Sequence, residues 1–221
     1  IVWAGASLKQ NRVWKDNITL FEHNLSADPG SPQARASLAL EYFFQRRPAE
    51  AEREARAAVE LDPNCLDGYI ASGYMAENSG AIDQAIEHLE RAVSTVSERP
   101  ANRSVLASIH ARLGWLYAKR KEELRAEESF RRAAGMVDDP QILFEMGQFY
   151  FEQGRYNEAR ELFEQTARQV SPRIASVHLR LGRVYDRLGQ PDRARHEFMM
   201  YLDLSPKGKA RKEVMARLSQ L

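Results

Sequence analysis

A pair of small or apolar positions recurs along this chain, and each recurrence carries the same punctuation after it. Aligning the pair, a tyrosine position, a later alanine and the bulky residue that follows it gives five passes. The first reads Leu38-Ala39, Tyr42, Ala51, Ala55, Ala58, Pro63, and the second Ser72-Gly73, Ala76, Gly80, Ala85, Leu89, Ala92. The third reads Leu113-Gly114, Tyr117, Ala126, Phe130, Ala133, and the fourth Met146-Gly147, Tyr150, Gly154, Ala159, Phe163. The fifth reads Leu181-Gly182, Tyr185, Gly189, Ala194, Phe198, Pro206. The second member of the pair stands at 39, 73, 114, 147 and 182, so the intervals are 34, 41, 33 and 35 residues. A near-constant period of this length means stacked supersecondary units that bury their faces against each other, not one continuous core.

The residue types give the unit a physical form. Gly73, Gly114, Gly147 and Gly182 interrupt helical patterns, where glycine costs about 1 kcal/mol against alanine. Such a cost implies close approach of a second helix, reinforced from the other side by Ala51, Ala85, Ala126, Ala159 and Ala194. The tyrosines at 42, 117, 150 and 185 are expected to fill the wider gaps beside these contacts. Gly80, Gly154 and Gly189 suit a left-handed turn between two helices. Pro48 and Pro191 suit the first turn of a second helix, where a missing N–H costs nothing. The long second interval places surplus residues around Glu98–Val105, with Pro100 and Asn102, which predicts an extended loop.

This pattern resembles the tetratricopeptide repeat (TPR) over about residues 32–206. The resemblance implies an all-α fold: a right-handed superhelical solenoid of five TPR helix–turn–helix repeats with an N-terminal and a C-terminal capping helix. The expected division is a leader at 1–9, a capping helix within 10–31, repeats at about 32–65, 66–99, 107–139, 140–174 and 175–206, and a final cap at 207–221. Trp14, Ile18, Phe21 and Leu25 share one face of the first cap. Val214, Leu218 and Leu221 lie near one face of the last, with basic residues outside.

Composition narrows the chemistry. The chain has 32 basic and 31 acidic residues, a net charge of +1, and so no global field to hold a polyanion; nucleic acid is not an expected partner. Its one cysteine, Cys65, can neither close an internal disulfide nor build a zinc site, and reads as a free thiol near an inter-repeat loop. No phosphate-cradling glycine loop, GxSxG turn or HExxH helix is present. His110 and His178 occupy equivalent positions in the third and fifth repeats and read as packing residues. No catalytic residue, metal ligand or cofactor is assigned, and the chain is read as a scaffold and not an enzyme.

In TPR arrays the first helices line a concave surface that takes a peptide or a partner helix, and the resemblance implies the same role here. The positions it nominates are Leu40, Phe43 and Phe44; Tyr74 and Asn78; Arg112, Trp115 and Lys119; Phe144, Gln148 and Phe151; and Arg180, Arg183 and Arg187. Aromatic residues dominate the first four repeats and arginines the fifth, which suits an apolar segment with an acidic patch. The Lys and Asn set that holds a C-terminal carboxylate in some TPR domains is missing, since Leu40 and Tyr74 stand where its first asparagines would be.

The opening Ile1-Val2-Trp3-Ala4-Gly5-Ala6 has no methionine and reads as the cut edge of a longer chain. Six such residues are too few to span a bilayer, which takes about 20. Asn11-Arg12-Val13-Trp14-Lys15-Asp16, followed by Leu20-Phe21 and Asp28-Pro29-Gly30-Ser31, resembles the junction in bacterial transmembrane-and-TPR membrane proteins of glycosyltransferase-like type. That resemblance implies that Ile1–Ala6 ends a removed spanning helix and that the repeats lie on the extracytoplasmic side of a membrane; without it the cytoplasm is expected. Two alternatives accompany the scaffold reading: a homo-oligomerisation module, and a substrate-recruiting domain of such a membrane protein.

Overall fold

Proline opens four helices, and every hairpin closes on a residue in the left-handed region. These two restrictions place the helix ends in the computed structural model, which describes residues 17–96, 100–171 and 174–221. Among the described residues there are twelve α-helices and no strand. They are α1 Asn17–Ala27, α2 Pro32–Phe44, α3 Pro48–Leu61, α4 Leu66–Asn78, α5 Ile82–Thr95 and α6 Arg103–Lys119. The rest are α7 Glu123–Met136, α8 Pro140–Glu152, α9 Tyr156–Gln169, α10 Ala175–Arg187, α11 Pro191–Leu204 and α12 Arg211–Leu218. Ser31 caps α2 by accepting the Ala34 N–H at 3.3 Å, and Asp139 caps α8 by accepting the Gln141 N–H at 2.8 Å.

The chain forms two compact units, with the division inside α6: residues up to Ile109 with Lys119–Lys121 in the first, and His110–Ala118 with Glu122 onward in the second. The first unit holds α1 and the hairpins α2–α3 and α4–α5. The second holds the hairpins α8–α9 and α10–α11, with α7 before them and α12 after.

One spacing builds each second helix. Buried residues fall at i, i+4 and i+7: Ala51, Ala55 and Ala58; Ala85, Leu89 and Ala92; Ala126, Phe130 and Ala133. Ala159, Phe163 and Thr166 follow, then Ala194, Phe198 and Tyr201. This stripe meets the first helix where that helix has no side chain. A Cβ added at Gly182 would lie 2.5 Å from Phe198 Cδ1, and one at Gly147 would lie 2.9 Å from Phe163 Cε1. Gly73 meets Leu89 and Gly114 meets Phe130 in the same way. The expected close approach is therefore present, and the bulky residue of the second helix occupies it.

The turns repeat as closely. Gly80, Gly154 and Gly189 have φ of 82°, 75° and 68°, and the same turn position is held by Arg46 at 59° and Lys121 at 62°. In all five hairpins an N–H beyond the turn donates to the carbonyl at the tyrosine position, at 2.9 Å each time. These bonds are Arg47 to Tyr42, Ala81 to Ala76, Glu122 to Tyr117, Arg155 to Tyr150 and Gln190 to Tyr185.

The tyrosines do more than fill gaps. Each is buried, and an arginine covers its ring: Arg47 on Tyr42, Arg125 on Tyr117, Arg155 on Tyr150 and Arg193 on Tyr185, at 4.2 to 5.6 Å. Three hydroxyls donate to a carboxylate on a preceding helix: Tyr42 to Glu22 at 2.9 Å, Tyr150 to Glu127 at 3.0 Å and Tyr185 to Glu164 at 2.8 Å. Burial works to raise Glu127, but bonds from Arg155 and Tyr150 outweigh it and hold the carboxyl below its usual range. Burial, then the bond to Glu164, pushes Tyr185 up to about 12.

The structure departs from the sequence reading in three places. The loop expected at Glu98–Val105 is partly helical: Pro100–Asn102 forms a 3₁₀ turn, and Arg103, Ser104 and Val105 open α6, giving it 17 residues where the other first helices have 13. The apolar run from Val105 to Leu106 and Ala107 continues the helical pattern backward, and the 3₁₀ turn feeds it directly. The last helix is shorter than the cap expected at 207–221, because the Tyr201 hydroxyl accepts the Ala210 N–H at 3.2 Å and α12 starts after it. Its basic residues do not all face outward: Arg217 pairs with Asp186 at 2.7 and 2.8 Å. In the first cap, Ile18 is buried against Leu38, Tyr42 and Ala51 with Phe21 and Leu25 beside them. Residues 1–16, including Trp14 and the Ile1–Ala6 segment, lie outside the described residues.

Three measurements check this account. Gly182→Ala destabilises by about 1–3 kcal/mol through overpacking, and pairing it with Phe198→Leu restores part of the loss in urea unfolding. Arg46→Gly and Lys121→Gly each remove a left-handed side-chain penalty and stabilise by about 0.5–1 kcal/mol, a Tm gain of about 1–4 °C. Because Tyr185 ionises later in the folded state, its contribution is complete below about pH 10 and is lost as pH rises through about 12. Tyr185→Phe therefore shows a shallower alkaline loss of stability and lacks the latest phenolate absorbance step.

Candidate protein-interaction surface

The sequence-nominated residues all lie on first helices, at positions the interhelical stripe does not use. In the first unit, Leu40 is half-buried against Ala39, Ala55 and Ala71. Phe43 is half-buried against the Tyr42 cluster, and its ring meets that of Phe44 edge-on at 5.7 Å. Phe44 itself is 69% exposed. Tyr74 is half-buried and Asn78 exposed. Lys119 is bound to Glu77 at 2.9 Å.

In the second unit Arg112 is exposed, whereas the aromatic residues are half-buried and each leans on a ring of a second helix. Trp115 stands perpendicular to buried Phe130 at 5.6 Å, and Phe144 packs on buried Phe163 at 5.4 Å. Phe151 packs on Tyr156 at 5.4 Å. Gln148 donates to Glu152 at 3.2 Å. Each aromatic ring is thus anchored on one side and open on the other.

The arginines of α10 differ among themselves. Arg183 holds Glu213 of α12 through bonds of 2.8 to 3.1 Å, so the C-terminal helix already occupies it. Arg187 is exposed and lies 5.8 Å from the Tyr156 ring centre, with Nη1 3.3 Å from the Tyr156 hydroxyl. Arg180 is half-buried; burial, then the charge of Arg183, pushes its guanidinium below its usual range. The carboxylates of Glu152 and Glu213 offset part of this.

The other groups examined in the sequence sit in the framework. Buried Cys65 packs with Ala36 and Ala58, and burial pushes its thiol up. His110 is buried, and His178 Nδ1 lies 2.7 Å from Glu197 Oε2. Among the described residues no cluster of His, Cys, Asp or Glu is placed to hold a metal ion, and no helix is long and apolar enough to cross a membrane. The feature that sequence reasoning missed is the arginine–tyrosine–carboxylate clasp. Its tyrosine was visible in the repeat, but its carboxylate stands 20 to 23 residues earlier on another helix.

Known proteins resemble this chain in sequence or in fold. Human Protein O-mannosyl-transferase TMTC1 is 33% identical over 82 residues, which are 37% of this chain and 9% of that protein. The chain thus spans under a tenth of that relative's length. Among solved structures, Pseudomonas aeruginosa pilF superposes with a TM-score of 0.76 at 20% identity, covering 96% of this chain and 93% of the other. YrrB, described as a TPR protein with an unusual peptide-binding site, superposes with a TM-score of 0.68 at 17% identity, covering 91% and 98%. BtubC from P. vanneervenii gives 0.73 at 18%, covering 86% and 87%. Two family profiles described as tetratricopeptide repeat match residues 37–103 and 138–207, and the chain belongs to the tetratricopeptide repeat family.

Proposed function

We propose that this chain is a non-catalytic scaffold that captures a peptide or partner helix on its first helices. The observation that carries the reading is the set of half-open rings in the second unit. Trp115, Phe144 and Phe151 are each braced by another ring, so little rotamer freedom is lost when a partner covers the open face. Aromatic and arginine side chains dominate the energetics of protein interfaces. Arg180 adds a half-buried guanidinium with which a partner carboxylate would pair. The partner favoured is an apolar segment with an acidic residue. The peptide-binding site attributed to YrrB supports the reading by likeness of fold, which by itself does not choose a function.

A second reading concerns the parent protein. The match to a human O-mannosyl-transferase, together with the Asn11–Asp16 stretch, favours a chain that recruits protein substrates for a membrane transferase. The catalytic residues would then lie elsewhere in the whole protein. Spanning segments encoded upstream of Ile1 are the expected finding, and their absence from the gene defeats this reading.

For the scaffold, peptides selected from a displayed library on the intact chain provide the probe. Trp115→Ala and Phe151→Ala are each expected to weaken the selected peptides by about 2 kcal/mol, near 30-fold, with helical circular dichroism preserved. Equal binding by both variants removes the first-helix surface from the proposal.

A further inference from the structure

The second hairpin lacks the arginine-covered tyrosine that the other four share. Where they have Tyr42, Tyr117, Tyr150 and Tyr185, it has Ala76. The backbone there is unchanged, since the Ala76 carbonyl accepts the same 2.9 Å bond as the four tyrosine carbonyls. The covering arginine is missing too. Ala81 stands where Arg47 and Arg155 stand in their hairpins, and Gln84 where Arg125 and Arg193 stand.

The receiving side is nevertheless intact. In the second unit, Tyr150 is held by Glu127, which pairs with Arg131 one turn later on α7 at 2.7 Å. On α3, Glu52 and Arg56 hold the same places after the buried alanine and pair at 2.8 Å. The Glu127 side chain is 19% exposed beneath its tyrosine, whereas Glu52 is 66% exposed. Between α3, α4 and α5 a cleft of about 680 Å³ opens, lined by Phe43, Glu52, Arg56, Met75, Ala76 and Gln84 among others. That volume is typical of ligand sites.

We propose that this cleft receives a tyrosine side chain of a protein partner, its ring against Met75 and Ala76 and its hydroxyl donating to Glu52. The occupant follows from the molecule itself, because three clasps in this chain show a phenol donating to a carboxylate at this kind of junction. Phenylalanine would bind without that added bond to Glu52, which keeps its pairing with Arg56. Three carboxylates (Glu52, Glu60 and Glu87) line the cleft against Arg56 and His88, so a cationic neighbour on the partner is favoured and a phosphotyrosine repelled. A partner arginine would supply the cover that the second hairpin lacks. The site rests on the scaffold reading's expectation of a protein partner and shares Phe43 and Asn78 with the nominated surface, but none of the second unit's rings.

The test is an amide-shift titration of the intact chain by NMR. The probe is a capped tetrapeptide of glycine, tyrosine, arginine and glycine, alongside phenylalanine and phosphotyrosine versions. Saturable shifts are expected at Ser72, Met75 and Ala76, with the phenylalanine peptide about 5-fold weaker and the phosphotyrosine peptide without effect. Ala76→Tyr restores the internal clasp and abolishes the shifts. Glu52→Gln, on an exposed side chain that does not threaten folding, weakens them several-fold. Trp115→Ala and Phe151→Ala leave them intact, which separates this site from the first-helix surface. No saturable shift at millimolar peptide, or unchanged shifts in folded Ala76→Tyr and Glu52→Gln, overturns the proposal.

Discussion

Four of the five hairpins depend on a bulky side chain of the second helix lying where the first helix has nothing beyond Cα. Phe198 sits on Gly182, Phe163 on Gly147, Phe130 on Gly114 and Leu89 on Gly73. The first hairpin reaches the same closeness with alanine on both sides, since Ala39 and Ala55 are both fully buried. Interior packing tolerates little change in volume, so this contact sets the separation of the two helices. The separation in turn fixes the turn, and the turn brings a backbone N–H to the carbonyl at the tyrosine position. Tyrosine, turn and covering arginine therefore follow from a contact they do not touch.

That dependence makes the departures informative. Arg46 and Lys121 occupy a backbone region that glycine fills in the other three turns, and the turn keeps its geometry. The hairpin contact is strong enough to impose an unfavourable φ on a side chain. Ala76 shows the converse: the backbone keeps its place without a ring, and a cleft lies beside it. A single globular core would have collapsed around such a cleft more readily, because its neighbours are not each tied to a separate hairpin.

The hairpins were legible in the sequence because their determinants are local. Gly147 and Phe163, or Gly182 and Phe198, lie 16 residues apart and recur with the period, so one alignment exposes them all. The clasp was not legible, because Glu127 reaches Tyr150 across 23 residues and no spacing rule singles it out among the many carboxylates of helical surfaces. The third first helix was misjudged at its start for a related reason: Pro100 and Asn102 signal a turn, but a 3₁₀ turn that leads into a helix carries the same residues as a loop. Of the nominated surface, the sequence could place Arg180 and Arg183 on one helix but could not say that Glu213 of α12 holds one of them.

Two sets of positions divide the work within each hairpin. The stripe at i, i+4 and i+7 of the second helix, with the Gly or Ala facing it, maintains the fold and is made of nearly invariant chemistry from hairpin to hairpin. The outward positions of the first helices differ from hairpin to hairpin, from Leu40 through Trp115 to Arg183, because their interhelical contacts are partial and lie outside the stripe. Exposed ion pairs such as Arg56 with Glu52 add little stability of their own, so they too can be redirected toward a partner without cost to the stack. Membership of the repeat family is consequently written in one set of residues, and on the proposed function partner choice falls to the other. The two can change independently, and the likeness of this chain to pilF, YrrB and BtubC is a likeness of fold.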